Sequence, residues 1–248
     1  MRDISLGDGA LFIADAHYPT HGEELEEILL AIAEGNIEVG QLFLMGDIFD
    51  LLFGYNEKIA QINRHGIEMI ESVSQRCETI YLEGNHDFTL SDIFGTNLTV
   101  VPRSRQPLRV KYGDKDIYLS HGDLYRTGRM YDIYSRIVRS PALLSLLSPF
   151  GDTIIETLLG QLVKKDICRE FEGFQKRAEE IVSDYPAEAD LIIEGHYHMG
   201  GRLGRYVSLP SLACQKSVSI FEGGEMRFIP ISTLLPHDRP TPRREISV

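Results

Sequence analysis

The chain has few cysteines, fewer basic than acidic residues and no long apolar run, and each shortage excludes a class of protein. Its three cysteines, Cys77, Cys168 and Cys214, lie far apart in sequence. This spacing argues against a disulfide framework and is typical of a reducing compartment. No stretch reaches the roughly 18 apolar residues that a transmembrane helix needs. The N-terminus also lacks the apolar run of a secretory signal peptide, so we expect a cytoplasmic protein.

The 25 basic residues are outnumbered by 37 acidic ones, which gives a formal net charge of −12. Affinity for nucleic-acid phosphates comes from clustered Lys and Arg, so this balance argues against nucleic acid as a partner. Hydrophobic residues make up 43% of the 248 positions, enough for a sizeable core. We expect one α/β domain over residues 1–231, with a helical insertion at about 125–185, followed by a mobile, proline-containing tail at 232–248.

Side chains of the metal-binding type follow five short apolar runs that we predict to be buried strands. Strands that alternate with helices favour parallel pairing, and open α/β sheets place ligands beyond the carboxyl ends of their strands. We therefore expect these side chains to converge on one pocket, although each motif alone is equally typical of a surface turn or a structural histidine. They are Asp15 and His17 after 10–14, Asp47 after 41–45, Asn85 and His86 after 79–82, His121 after 116–120, and His196 and His198 after 189–194.

Carboxylate, imidazole and amide-oxygen donors suit borderline-hard divalent cations. Two such ions roughly 4 Å apart can activate water and neutralise charge on phosphorus oxygens during phosphoester hydrolysis. We expect two divalent ions, with Mn²⁺ favoured and Fe²⁺, Zn²⁺ or Co²⁺ as alternatives. The candidate ligands are too many for one ion and suit two ions that share a carboxylate: Asp15, His17, Asp47, Asn85, His121, His196 and His198.

The segment from about residue 125 to 185 differs in character. A helix would place Arg126, Arg129, Arg136 and Arg139 broadly on one side, either as a solvated face or as a grip on phosphate. Apolar residues then recur at helical spacing within 154–163. They would either pack on the domain body or form a lid that contacts an acyl chain or a membrane surface. Both readings stay open from the pattern alone.

The order of the motifs, Asp-x-His, Gly-Asp, Gly-Asn-His-Asp, His and Gly-His-x-His, resembles the calcineurin-like metallophosphoesterase superfamily over about residues 10–230. The resemblance implies an αββα sandwich fold with a helical lid insertion. It also implies that Asp47 bridges two metal ions. The remaining ligands would divide into Asp15, His17 and His198 for one ion, and Asn85, His121 and His196 for the other.

The same resemblance assigns catalytic roles. His86 would protonate the leaving group or stabilise the transition state, and Asp50 would pair with it. Within the superfamily, residues 12–17, 46–50, 84–88 and 121–123 look like the UDP-2,3-diacylglucosamine hydrolase branch, and 131–141 resembles the start of that branch's lid.

That branch hydrolyses a nucleotide-sugar lipid to UMP and a 1-phospho-diacylglucosamine, lipid X, in lipid A biosynthesis. The branch therefore implies a nucleotide-sugar lipid substrate and a peripheral contact with the cytoplasmic face of the inner membrane. On this reading, Tyr131, Arg126, Arg129 and Arg136 would bind the substrate.

The chain departs from the branch at two positions. His86 stands where members often have Arg, and Ala16 stands where Leu is usual. A soluble metallophosphoesterase that acts on nucleotides or other small phosphoesters is therefore the alternative function. A non-catalytic binding scaffold on the same fold is a third possibility, but it has no need for the complete ligand set.

Overall fold

Two β-sheets lie face to face at the centre of the fold. The computed structural model describes residues 4–21, 23–96, 98–125, 128–140, 144, 166–169 and 171–235. Arg126, the apolar segment 154–163 and the tail from residue 236 lie outside the described residues. The lid and tail predictions for these parts therefore stay predictions.

The first half of the described chain alternates strands with helices, as predicted. The strands are β1 Ala10–Ile13, β2 Gln41–Leu44, β3 Leu52–Phe53, β4 Glu78–Leu82, β5 Asp87–Phe88, β6 Thr99–Val101, β7 Leu108–Tyr112, β8 Lys115–Ser120, β9 Leu191–Glu194, β10 Gly201–Leu203, β11 Tyr206–Ser208, β12 Ser217–Glu222 and β13 Glu225–Pro230. The helices are α1 Glu23–Ala33, α2 Glu57–Ile62, α3 Arg64–Ser74, α4 Arg129–Val138, α5 Phe174–Val182, α6 Leu212–Gln215 and α7 Ile231–Leu234.

The larger sheet has the strand order β13-β12-β1-β2-β4-β6 and the smaller one β10-β11-β9-β8-β7. In the larger sheet β1, β2, β4 and β6 are parallel. In the smaller sheet β8, β9 and β11 are parallel. The hairpin of β12 and β13 is antiparallel, as its Gly-Gly turn predicts.

Side chains alternate across each strand, so one sheet contributes to two layers of core. In β1, Phe12 faces the smaller sheet and stacks on Phe43 at a ring separation of 4.6 Å, whereas Leu11 faces the helices α1 and α3. Ala178 and Ile181 of α5 cover the outer surface of the smaller sheet. The layers are helix, sheet, sheet, helix, which confirms the expected αββα sandwich.

The helical segment between β3 and β4 is divided at Asn63, whose buried amide donates hydrogen bonds to the carbonyls of Leu51 and Ile59, both at 2.9 Å. Among the described helices, none is long and apolar enough to cross a bilayer.

The cysteine prediction was wrong. Cys168 and Cys214 form a disulfide with a Cα–Cα distance of 5.3 Å, while Cys77 is free and buried. The pair is separated by 46 residues in sequence and meets only because of the tertiary fold. Local cysteine spacing therefore carried no sign of it.

Candidate metal centre

The carboxyl ends of strands from both sheets meet at one rim of the sandwich. β1, β2 and β4 of the larger sheet and β8 and β9 of the smaller sheet each run into a loop that carries candidate ligands. The sequence predicted that strand ends would provide this pocket. The parallel strands of two facing sheets bring all of the candidate side chains together: Asp15, His17, Asp47, Asn85, His121, His196 and His198.

The first cluster consists of Asp15, His17 and His198. Their donor atoms lie within 4.8 Å of one another. His198 Nε2 is 3.2 Å from Asp15 Oδ1, and the His17 and His198 rings are 5.5 Å apart. His17 Nε2 is buried and has no hydrogen-bond partner among the described residues. A buried imidazole nitrogen left without a partner beside a carboxylate fits a cation ligand, because burial without compensation is otherwise costly.

The second cluster consists of Asp47, His121 and His196, with Asn85 beside them. The donor atoms of the first three lie within 4.8 Å of one another. His121 Nε2 is 3.5 Å from Asp47 Oδ2 and 3.1 Å from Asn85 Oδ1. The two groups together offer carboxylate, imidazole and amide-oxygen donors, the set that suits borderline-hard divalent ions. The clusters therefore fit two divalent metal ions.

The backbone at these positions is unusual. Asp15, His17, Asp47, His196 and His198 all have φ between 49° and 65°. Non-glycine residues rarely adopt this left-handed region, and such residues concentrate at functional sites. Sharp turns directly after the strands therefore direct these side chains toward the rim.

Glycine is required where the ligand loops touch. A Cβ atom at Gly84 would lie 2.3 Å from both the main-chain nitrogen and Oδ1 of Asp47. Any larger residue would separate the Gly-Asn-His-Asp loop from Asp47. This close approach gives a physical reason for the glycine in that motif.

The charges and the burial of the side chains at the rim favour the binding of cations. Burial lowers the pKa of His17 and of His196 to about 4, so both imidazoles are neutral near pH 7 and able to ligate a metal. Burial also acts to lower the pKa of His121, but the charge and hydrogen bond of Asp47, with the charges of Asp15 and Asp123, raise it to about 10. The buried carboxylates thus attract positive charge to this point. A divalent cation would supply that charge and displace the His121 proton.

The histidines are oriented from behind by main-chain carbonyls. His121 Nδ1 is 2.9 Å from the carbonyl of Met45, and His198 Nδ1 is 2.8 Å from the carbonyl of Ile167. If Nδ1 carries the hydrogen, it donates to the carbonyl and leaves the Nε2 lone pair free to face the cluster. Such outer partners fix the tautomer and ring orientation of metal-binding histidines.

Asp87 and Gln106 are buried and hold the ligand loops in place. The sequence suggested no role for either side chain. Asp87 accepts hydrogen bonds from the main-chain nitrogens of Asp47 at 2.9 Å and Gly84 at 2.8 Å, and from the Tyr81 hydroxyl at 2.6 Å. Gln106 accepts from the main-chain nitrogen of His121 at 2.8 Å. The Gly-Asn-His-Asp motif could have pointed to Asp87. No sequence signal marks Gln106, because it is an isolated residue between strands.

The expected pairing of His86 with Asp50 needs correction. His86 Nδ1 is 2.8 Å from the main-chain carbonyl of Asp50, not from its carboxylate. The Asp50 carboxylate instead accepts from the Thr20 main-chain nitrogen at 2.9 Å and lies 3.9 Å from His17 Nδ1. Asp50 thus orients His86 through the backbone. His86 Nε2 then faces the centre, 4.0 Å from Asp47 Oδ2.

The predicted substrate-binding residues are distributed over α4 and its approach. Tyr131 donates a hydrogen bond from its hydroxyl to Asp123 at 3.3 Å. Arg129 and Arg136 are exposed, and Arg126 lies outside the described residues. Their binding roles stay predictions.

Arg139, the fourth arginine of that set, contacts the ligand loop directly. It donates to the Gly84 carbonyl at 2.7 Å and its guanidinium lies 5.2 Å from the centre of the Phe88 ring. Together with Arg103 and Arg136, Arg139 lines a cavity of about 770 Å³ that Glu83 and Gln106 also border. Arg139, which follows α4 directly, therefore links that helix to the loop of candidate ligands.

Comparison with known proteins gives relatives named UDP-2,3-diacylglucosamine hydrolase. No family model matches the chain. It is 25% identical over 203 residues to the UDP-2,3-diacylglucosamine hydrolase of Photorhabdus laumondii, covering 76% of this chain and 81% of that protein. It is 26% identical over 201 residues to the protein of the same name from Vibrio cholerae, covering 76% and 80%. These relatives confirm the resemblance indicated by the motifs, and by name they are hydrolases, as expected of this chain.

Among solved structures, the chain is similar to a dimetal phosphatase from Danio rerio, with a TM-score of 0.45 and 13% identity. The match covers 89% of this chain and 95% of that one. The likeness is too weak for any conclusion about function.

Proposed function

We propose that this chain is a dinuclear-metal pyrophosphate hydrolase that cleaves UDP-2,3-diacylglucosamine to UMP and lipid X. The ligand assignment implied by the motifs is proposed with it: Asp15, His17 and His198 would hold one ion, Asn85, His121 and His196 would hold the other, and Asp47 would be shared by both. We propose Mn²⁺ as the native ion. When bound, the two cations would polarise the phosphate oxygens and activate the attacking water.

The protein's own residues would arrange the reaction around those cations. Hydrolysis to UMP expels a phosphorylated sugar, and a phosphate is a good leaving group that needs little protonation. His86, with Nε2 directed at the rim, would therefore act mainly by stabilising charge as the phosphorus–oxygen bond breaks. Arg136 and Arg139, on the wall of the neighbouring cavity, would bind phosphate oxygens.

An exposed apolar stripe on α4 supports the lipid substrate. Asp132 accepts from Arg103 at 3.0 Å and Ser135 is buried, so these two residues face the protein, whereas Arg129 and Arg136 are exposed. The apolar residues of a soluble helix normally face the core, so an exposed apolar stripe suits a ligand with acyl chains. The stripe consists of Met130, Ile133 and Ile137, which are 78%, 53% and 55% exposed.

The same stripe would bring the enzyme to its substrate. A diacylated sugar resides in a membrane leaflet, so the proposed site of action is the cytoplasmic face of the inner membrane, with the α4 stripe in peripheral contact. The names of the relatives support the substrate, since they act on UDP-2,3-diacylglucosamine by name.

The test is hydrolysis of UDP-2,3-diacylglucosamine beside a panel of soluble nucleotides and phosphodiesters, with Mn²⁺ added. The proposal expects the lipid substrate to be cleaved with the highest kcat/KM, to UMP and lipid X. The alternative is a soluble metallophosphoesterase, which the histidine at position 86 favours. Cleavage of a soluble ester with no cleavage of the lipid would establish that alternative.

A further inference from the structure

The orientation of one candidate ligand depends on a segment remote in sequence. His198 Nε2 faces Asp15 Oδ1 at 3.2 Å, and the opposite ring nitrogen, Nδ1, lies 2.8 Å from the carbonyl of Ile167. The Gln215 side chain donates to the main-chain carbonyl of His198. Gln215 thus fixes the backbone of His198, whereas the Ile167 carbonyl fixes the rotation of its ring.

Ile167 is kept in place by its neighbour. Cys168 follows it directly and is joined by a disulfide to Cys214 of α6. The Cys214 sulfur lies 3.7 Å from His198 Nδ1, so the disulfide is adjacent to the hydrogen bond that it supports.

The other end of the disulfide is anchored to the first cluster itself. Ser211 donates its hydroxyl to the Asp15 carbonyl at 2.8 Å and accepts from the Cys214 main-chain nitrogen at 3.1 Å. Ala213 donates its main-chain nitrogen to the same carbonyl at 3.1 Å. The disulfide therefore ties the Ile167 segment to a frame that already positions Asp15.

We propose that the Cys168–Cys214 disulfide makes metal binding at the first cluster, Asp15, His17 and His198, dependent on thiol redox state. A dithiol reductant would transfer two electrons and two protons: the sulfur–sulfur bond breaks, two thiols form, and the reductant becomes a cyclic disulfide. The Ile167 carbonyl is then no longer tied to the rim, and the His198 ring loses the partner that orients it. In a reducing compartment a disulfide of this kind is typically transient and redox-sensing.

This inference rests on the two-metal centre of the proposed function, not on its substrate. Outer-sphere partners of metal-binding histidines typically contribute 10–100-fold to metal affinity, so the first site should weaken by about that factor on reduction. The second cluster should be unaffected, because the carbonyl that orients His121 belongs to Met45, away from the disulfide.

The experiment is calorimetric titration of metal-stripped protein with Mn²⁺, without reductant, on wild type, Cys168→Ser and Cys214→Ser. Cys77→Ser is the matched control, since Cys77 is free and buried elsewhere. We expect two sites in the wild type and the control. In both disulfide variants, one site should weaken by about 10- to 100-fold and the other should be retained.

The two variants distinguish an effect of the disulfide bond from an effect of the contact between Cys214 and His198. Cys214 lies beside His198, whereas Cys168 acts through the bond, so equal losses indicate the bond. Two undiminished sites in both variants would overturn the inference, as would a loss confined to Cys214→Ser. A wild type that binds fewer than two ions would overturn the proposed function and this inference with it.

Wild-type protein provides a second route that does not depend on the folding of the variants. A dithiol reduces the disulfide, gel filtration removes the reagent under nitrogen, and intact mass confirms the gain of two hydrogen atoms. The weakened site should appear in the Mn²⁺ titration and return after reoxidation. Unchanged affinity in the fully reduced protein would overturn the inference.

Discussion

The outward stripe of α4 provides a direct test of the acyl-binding proposal. The perturbation is the triple replacement Met130→Gln, Ile133→Gln and Ile137→Gln. All three side chains are already exposed, so their loss should leave the core intact. Gln is also as good a helix former as Met and better than Ile, so α4 should persist.

The expected magnitude follows from the exposed area. Full burial of a Met or Ile side chain contributes about 1.5–3 kcal/mol. Half or more of each side chain in the stripe is open to solvent, so an acyl chain across it would gain roughly 1 kcal/mol from each residue, or about 3 kcal/mol together. A tenfold rate change corresponds to about 1.4 kcal/mol, so kcat/KM for the diacylated substrate should fall roughly 100-fold.

The assay compares UDP-2,3-diacylglucosamine with bis-p-nitrophenyl phosphate, a small chromogenic diester that has no acyl chain. Activity on the small diester should stay within about twofold of wild type. Leu30→Gln on α1 and Ile62→Gln on α2 are matched controls, since these side chains are 42% and 45% exposed on other surfaces. Equal losses on both substrates, or an unchanged lipid rate, would refute the reasoning.

Three further outcomes test the centre itself. Asn85→Ala removes an oxygen donor 3.1 Å from His121 Nε2, so elemental analysis should find less than two metals per chain together with lost activity; full metal content would contradict the ligand role. His86→Ala should lower kcat by roughly 100-fold at normal metal content, whereas lost metal would make His86 a ligand. Metal loading at pH 7 should release a proton from His121, whose pKa is about 10 before binding, so metal affinity should fall as pH is lowered. Calorimetry in buffers of different ionisation enthalpy measures this release, and its absence would contradict the electrostatic description.

Much of the fold was predictable because its signals are local. Short apolar runs that end in Gly, Asp, Asn or His mark the strands β1, β2, β4, β8 and β9, and their order along the chain indicates the αββα arrangement through family resemblance. The structure brings the predicted ligand side chains together at one rim, because the ligand positions are strand ends. Their service as metal ligands stays a prediction.

What the sequence could not reveal depends on contacts between distant segments. Cys168 and Cys214 are separated by 46 residues in sequence, and no local cysteine spacing predicts that they pair. The partner of His86 is a main-chain carbonyl, an atom that every residue has, so residue type could only suggest the Asp50 carboxylate.

The orientation of α4 on the protein was equally hidden. Helical periodicity reveals that two faces exist but not which of them meets the protein. In the structure, Arg103 lies outside the helix and pairs with Asp123 and with Asp132 of α4. These ion pairs turn the Asp132 side of α4 toward the protein.

The most direct measurement is anomalous diffraction from crystals grown with Mn²⁺. We predict two anomalous peaks roughly 4 Å apart, with a carboxylate oxygen of Asp47 within coordination distance of each. The first peak should adjoin Asp15, His17 and His198, and the second Asn85, His121 and His196. A single peak, or peaks away from this rim, would contradict the two-metal centre.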